Sequence, residues 1–288
     1  MFELYQLRYF LAVVETGSFT KASKRVRVSQ PTLSAGIRKL EQTLEAQLFD
    51  RNSKRVFLTS AGTRFLEHAK AIITQAQRAM AELQDVPARQ VLSVGVLTTI
   101  SAAEVQRLFS DYLRAHPATI LELYEGGERE LNSRLERELL QVALTIQRTD
   151  NRARSQPLYE EGYSLAIAAR HPLAQRAVIQ VSELADEPTI VRTRCELLSE
   201  TSRFFTSHNV RPRLVYRTEQ DERALHMVGA GLGITVMPDH YRAASVARVP
   251  LAGFDERRTV ALVRGRRKAS PLVTDFNEFA ASQAWPSR

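Results

Sequence analysis

Between Ser18 and Leu40 the chain reads SFTKASKRVRVSQPTLSAGIRKL, and no other stretch restricts the fold as much. Phe19, Ala22, Ser23 and Val26 recur at i, i+3, i+4 and i+7, which lays a small, mostly apolar stripe along a first helix that Ser18 can cap. Leu33, Ile37, Leu40 and Leu44 do the same for a second helix. Arg27 and Val28 leave room only for a turn between the two. Ser29 stands at the second N-cap, and Pro31 falls in a first turn, where the amide it lacks would be unpaired anyway. This is helix-turn-helix spacing. Opposite its leucines the second helix carries Gln30, Pro31, Thr32, Ser34, Ala35, Arg38 and Lys39, short polar groups near its start and cations further on. A major groove admits a helix in this way, with side chains near the N-terminus reading base edges and Arg and Lys holding phosphate.

Charge points to the same partner. Residues 1–60 hold ten Lys and Arg against five Asp and Glu, so a fifth of the chain carries five of its eight net positive charges. Phosphate binding proceeds by displacing counterions, and a local excess of this kind favours double-stranded DNA over a membrane or an acidic protein. Residues 48–51 and 55–58 read as two short strands around a polar tip at Asn52, Ser53 and Lys54, a wing whose Arg51, Lys54 and Arg55 would meet phosphate or the minor groove. From Ser60 to Asp85 one proline-free helical pattern places Phe65, Ala69, Ile72, Ala76, Ala79 and Leu83 at steps averaging near 3.5 residues. A seam of that period on a helix leaving a small domain predicts pairing with the same helix of a second chain. Pro87 ends the helix and marks a hinge.

Beyond the hinge short apolar runs alternate with helical stretches, which argues an α/β unit with largely parallel sheets. Hydroxyl and cationic residues follow the predicted strands: Thr98, Thr99, Ile100 and Ser101 after the first, Arg148 after that at 142–146, Thr193, Arg194 and Cys195 after that at 189–191, and Thr218 after that at 213–217. Ligands of open α/β sheets bind beyond the carboxyl ends of the strands, so these residues predict a site for a small organic anion.

Several short segments carry a family resemblance: Leu7-Arg8-Tyr9-Phe10, Gly17-Ser18-Phe19-Thr20-Lys21-Ala22, Val28-Ser29-Gln30-Pro31-Thr32-Leu33-Ser34, Leu58-Thr59-Ser60-Ala61-Gly62 and, more loosely, Val228-Gly229-Ala230-Gly231-Leu232-Gly233-Ile234. The chain resembles the LysR-type transcriptional regulators. The resemblance implies an N-terminal all-α winged helix-turn-helix with a long linker helix, plus a C-terminal α/β two-lobed effector domain similar to periplasmic binding proteins. The corresponding boundaries are residues 1–59, 60–87 and 88–288, with lobe 1 at about 91–161 and 265–288 and lobe 2 at about 162–264, the effector lying in the cleft. It further implies a homodimer on an interrupted palindrome, a homotetramer built from two such dimers, and RNA polymerase as a further partner left open. One departure stands out: after Ser34 the family usually shows a large polar pair such as Arg-Gln, where this chain has Ala35-Gly36.

Other classes fit less well. Six histidines show no nucleophile motif, metal-ligand spacing or phosphate loop, so neither an enzyme nor a cofactor is expected. A free-standing solute-binding protein would carry a leader in place of the N-terminal domain. A DNA-bending architectural protein would show no ligand dependence. No basic segment followed by an apolar run opens the chain and no stretch approaches a membrane span, so the cytoplasm is expected. Cys195 is the only cysteine, which excludes an intrachain disulfide. Its place resembles that of the reactive cysteine in peroxide-sensing members, and Arg192, Arg194 and a nearby helix start would favour thiolate. Yet a resolving cysteine is absent, with Phe204 nine residues on, so packing or cleft lining is expected over redox sensing.

Overall fold

A computed structural model describes residues 1–50, 56–83 and 90–285, apart from the side chains of residues 77–79 and 81–83. The chain forms two compact units, Met1–Ala88 and Arg89–Arg288. Among the described residues no helix is long and apolar enough to cross a membrane.

The first unit contains α1 (Leu4–Thr16), α2 (Phe19–Arg25), α3 (Gln30–Thr43), the antiparallel pair β1 (Phe49–Asp50) and β2 (Phe57–Leu58), and α4 (Ser60–Leu83). The apolar stripes converge as their spacing dictates: Leu7, Phe10 and Val13 of α1, Ala22 of α2 and Leu33, Ile37 and Leu40 of α3 are fully buried in one core. Each of the larger side chains stabilises the unit by about 1.5–3 kcal/mol relative to exposure. Glu41 reaches from α3 under the strand pair, its Oε1 accepting the amides of Leu48 at 2.9 Å and Phe49 at 3.3 Å.

Part of the predicted dimer seam is spent within this unit. Phe65 packs edge-on against Phe2 and Phe10, at 6.1 and 5.4 Å between ring centroids, and Ala69 is fully buried in the same core. Ile72 also packs against that core. The correction has a simple cause: the first turns of α4 cover helices that nothing else covers. Phe65, Ile72 and Ala76 are half-buried, Met80 one turn beyond Ala76 is exposed, and the side chain of Leu83 lies outside the described residues.

The second unit opens with β3 (Val91–Leu97), α5 (Ala102–Ala115), β4 (Ile120–Gly126), α6 (Glu128–Glu136) and β5 (Val142–Ile146), with β3 parallel to both β4 and β5. Strand β6 (Ser155–Ala168) is then one continuous run of 14 residues. The rest comprises β7 (Pro188–Arg192), α7 (Leu198–Ser207), β8 (Arg213–Thr218), α8 (Asp221–Gly229), β9 (Thr235–Pro238), β10 (Val246–Val249), β11 (Arg257–Arg264) and α9 (Pro271–Ser282). The first half of β6 pairs with β11, its second half with β9 and β10, all antiparallel, so this strand carries the chain from lobe 1 into lobe 2. Strands β7 and β8 form a separate parallel pair. The sheet is therefore mixed rather than largely parallel. The return crossing precedes Arg257 and does not fall near Gly265, because Val260, Leu262 and Val263 of β11 are fully buried in the lobe 1 core with Val142 and Leu144. Lobe 2 has its own cores, around Leu165, Ile167 and Phe205 and around Ala224, Val228 and Tyr241.

Candidate nucleic-acid interface and effector cleft

Helix α3 starts where its sequence says it must. Ser29 is extended at φ −71° and ψ 150°, its hydroxyl accepts the Thr32 amide at 3.2 Å, and Pro31 sits in the first turn. The preceding turn puts Arg27 in the left-handed region at φ 58°, which reverses the chain within the few residues between α2 and α3. The buried face of α3 is the leucine face, while Ser29, Gln30, Pro31, Thr32, Arg38 and Lys39 are exposed and Ser34 is half-exposed. Gln30 donates to the Ser34 hydroxyl at 3.0 Å, and the Ser29 and Thr32 hydroxyls lie 2.7 Å apart, so the polar groups at this end are ordered by one another. Neither Arg38 nor Lys39 has a carboxylate partner among the described residues, in contrast to Arg25, paired with Glu15 at 2.7 Å. Arg51, Lys54 and Arg55 lie outside the described residues.

The Ala35-Gly36 departure has a packing reason at its second position. A Cβ on Gly36 would stand 2.8 Å from the Tyr9 ring, and the residue is buried, so position 36 is where α1 crosses α3 and not a groove contact. The exposed position is Ala35, which has no polar group to offer a base.

In the second unit a cavity of about 880 Å³ lies between the lobes, with Thr98, Ile100, Tyr124 and Glu125 on one side and Arg194, Gln220, Asp221 and Tyr241 on the other. The predicted effector residues divide. Thr98, Ile100 and Arg194 face this cavity. Thr193 and Cys195 face a different one, inside lobe 2. Thr99 is buried and held by Arg258, Ser101 is buried at the N-cap of α5, and Thr218 turns its hydroxyl inward to accept the Gln220 amide at 3.1 Å. Arg148 is engaged by Glu128, donating to it at 2.9 and 3.1 Å.

Sequence reasoning missed the groups that tie the lobes together. Arg258, at the start of β11 and side by side with Glu161 of β6, donates to Glu161 Oε1 at 2.8 Å, to Thr99 Oγ1 at 2.9 Å and to the Thr99 carbonyl at 2.6 Å. Its Nη1, which also holds Thr99 Oγ1, pairs with Glu196, which precedes α7 in lobe 2 and also accepts the Tyr163 hydroxyl at 2.5 Å. The side chains of Arg258 and Glu196 are each 3% exposed. Burial alone would raise the Glu196 carboxyl. The Arg258 guanidinium, helped by Tyr163 and Arg192, overrides this and holds it down at about 2. A second contact closes the same gap, Glu222 of lobe 2 accepting the Ala102 amide at the start of α5 at 3.1 Å. The sequence signal was a charged pair, Arg257-Arg258, directly before an apolar strand. Nothing local distinguishes such a pair from a solvated strand end.

Cys195 sits in an environment that opposes reactivity. Burial pushes its thiol up, and although Arg192 lies 3.6 Å from the sulfur and acts the other way, that guanidinium is already paired with buried Asp221. Arg194, which the sequence also placed as an activator, is paired with Glu219 at 3.2 Å. Cys195→Ser is therefore expected to leave DNA affinity equal before and after mild peroxide treatment, as in the wild type. Peroxide-dependent affinity in a band-shift titration of the wild type, abolished in the serine variant, would overturn this.

Comparison with known proteins agrees with the geometry. Residues 4–63 match the model of the bacterial regulatory helix-turn-helix protein, lysR family, and residues 87–285 match the LysR substrate binding domain. A hydrogen peroxide-inducible genes activator of Dickeya chrysanthemi is 29% identical over 285 residues, covering 96% of this chain and 93% of that protein. The regulator BenM of Acinetobacter baylyi is 28% identical over 243 residues, covering 82% and 80%. Among solved structures, a full-length OxyR variant from Pseudomonas aeruginosa superposes with a TM-score of 0.66 at 25% identity, covering 98% of this chain and 95% of that one. Full-length CbnR with its target DNA gives a TM-score of 0.71 at 24% identity, covering 96% and 98%, and so shares the fold. With residues 4–63 matching the one model and residues 87–285 the other, the chain belongs to the LysR family of transcriptional regulators.

Proposed function

We propose that this regulator reads an interrupted palindrome through α3, with Thr32 and Ser34 at base edges and Ser29, Gln30, Arg38 and Lys39 fixing the helix on phosphate. The observation that carries this is the capped, polar, exposed N-terminal half of α3 with two cations behind it that have no carboxylate partner among the described residues. Arg51, Lys54 and Arg55 belong to the same proposal as wing contacts. Two chains pair through the later turns of α4, around Ala76 and Met80, which gives the two-fold symmetry that a palindrome mirrors. Replacing Thr32 or Ser34 by alanine is expected to relax sequence preference at one or two base pairs, at about 1–3 kcal/mol each. Arg38→Ala is expected to weaken all sequences alike and to reduce the salt slope by about one. Fluorescence anisotropy on an operator and its point variants across salt concentrations measures both, and three variants with unchanged binding would sink the assignment.

The effector site in this reading is the interlobe cavity, with Thr98, whose hydroxyl has no hydrogen-bond partner among the described residues, and Arg194 as its polar contacts. Five carboxylates line that cavity, Glu125, Glu130, Glu219, Asp221 and Glu222. A small organic anion therefore binds there by exchange, taking Arg194 from Glu219, and unlike charges set the affinity only after that pair opens.

A further inference from the structure

Lobe 2 holds a second cavity, of about 520 Å³, walled by β7, α7, β8 and β9. Its volume lies in the range of small-ligand pockets, about 300–1,000 Å³. Ile190, Phe205 and Ile234 give it an apolar interior. Two of the hydroxyls on its walls are already used: Thr201 donates to the Leu197 carbonyl at 2.8 Å and Thr235 to the Ile190 carbonyl at 2.8 Å, which leaves their methyl groups as lining. At its edge stand Arg211 and Arg217, both exposed and both without a hydrogen-bond or ion-pair partner among the described residues. Arg192, Arg194 and Arg203 of the same lobe each hold a carboxylate. Guanidinium groups with no partner among the described residues, beside an apolar cavity, suit an anionic head such as a carboxylate attached to an apolar body, because the head finds charge-assisted donors while the body leaves water.

We propose that this cavity is a second ligand site, distinct from the interlobe cleft, that takes an amphipathic monocarboxylate with its head on a guanidinium at one end, Arg211 or Arg217. The site shares the segment between β7 and α7 with the cleft: Thr193 and Cys195 line the inner cavity, while Arg194 faces the interlobe space and Glu196 holds Arg258. A ligand here bears directly on the contact that ties the lobes. The proposal stands whether or not the interlobe assignment does.

Octanoate and 1-octanol, which share a body and differ in the head, are the probes, titrated into the full-length protein by calorimetry. Octanoate is expected to bind about tenfold more tightly than the alcohol, the usual worth of one charge-assisted pair. The doubly substituted Arg211→Gln, Arg217→Gln protein should lose that preference, the corresponding double lysine variant should keep most of it, and Arg194→Gln, in the cleft, should leave it unchanged. Because Cys195 is the only thiol, its alkylation by iodoacetamide, followed at alkaline pH where a thiol that burial pushes up still ionises, reports on the cavity itself. Octanoate at ten times its Kd should slow that reaction about tenfold in the wild type. Equal affinity for acid and alcohol, loss of octanoate binding in Arg194→Gln but not in the double variant, or alkylation unaffected by saturating octanoate would each overturn the assignment.

Discussion

Arg258→Gln is expected to lower the melting temperature of the regulatory unit by about 10 °C at neutral pH. The wild-type side chain satisfies two buried carboxylates, Glu161 and Glu196, and two oxygens of Thr99 at once. Glutamine cannot reach all of them and brings no charge. Removing one partner of a buried ion pair costs about 3–5 kcal/mol, because the charge left behind stays dehydrated. In a unit of this size each kcal/mol corresponds to roughly 2–4 °C. The pH dependence separates this from a simple packing defect. Glu196 titrates at about 2 in the folded chain against 4.5 ordinarily, so its stabilisation is complete above 4.5 and fades as pH falls from there towards 2. In the variant the carboxylate has lost the charge that held it down, and protonation relieves the defect. The gap between the two proteins should therefore narrow in melts at pH 4 relative to pH 7.5. A variant with wild-type melting temperature, or with a deficit that pH does not change, would show that the network contributes nothing of this kind.

In the DNA-binding unit the most sensitive position is Gly62. A Cβ there would lie 2.1 Å from the Leu48 carbonyl oxygen, a backbone atom that cannot rotate away. The approach is fixed from both sides: the Thr59 amide donates to that carbonyl at 3.0 Å, and the Thr59 hydroxyl donates to the Gln47 carbonyl at 2.6 Å while accepting the Gly62 amide at 3.0 Å. Gly62→Ala must therefore lift the first turn of α4 off the strand pair. Overpacking of this sort typically costs about 1–3 kcal/mol, and a backbone-to-backbone clash belongs at the upper end or beyond it. The expected result is a destabilised first unit with operator affinity lost at 37 °C, while the melting of the regulatory unit and its ligand response are unchanged. Operator binding and melting equal to the wild type would mean that α4 can shift without cost.

The helix-turn-helix is legible in the chain itself because its determinants are local. Caps at Ser18 and Ser29, Pro31 in a first turn, and leucines at helical spacing act within one or two turns of chain, and the same residues that start α3 also decide which face it exposes. The regulatory unit is legible only as an alternation of strands and helices. Its first half, the helices from Ala102 and Leu198 and the run at Val142 follow short-range pattern, whereas β10 and α9 escape it and β6 shows only as its last five residues. That strand is long because different partners claim its two ends, β11 the first and β9 and β10 the second, a fact held by those strands and not by its own sequence. The site divides along the same line. Residues after strands are found by position, but whether a side chain there faces the cleft, the lobe interior or a carboxylate depends on partners far away in sequence. Arg258 and Thr99 are 159 residues apart and Arg258 and Glu196 are 62 apart, so no window along the chain could show that these groups meet. The tertiary structure alone decided which arginines are paired, Arg192 and Arg258 inside and Arg194 at the cleft, and which have no partner among the described residues, Arg211 and Arg217 among them, because a charge is neutralised by whatever carboxylate folding brings within reach.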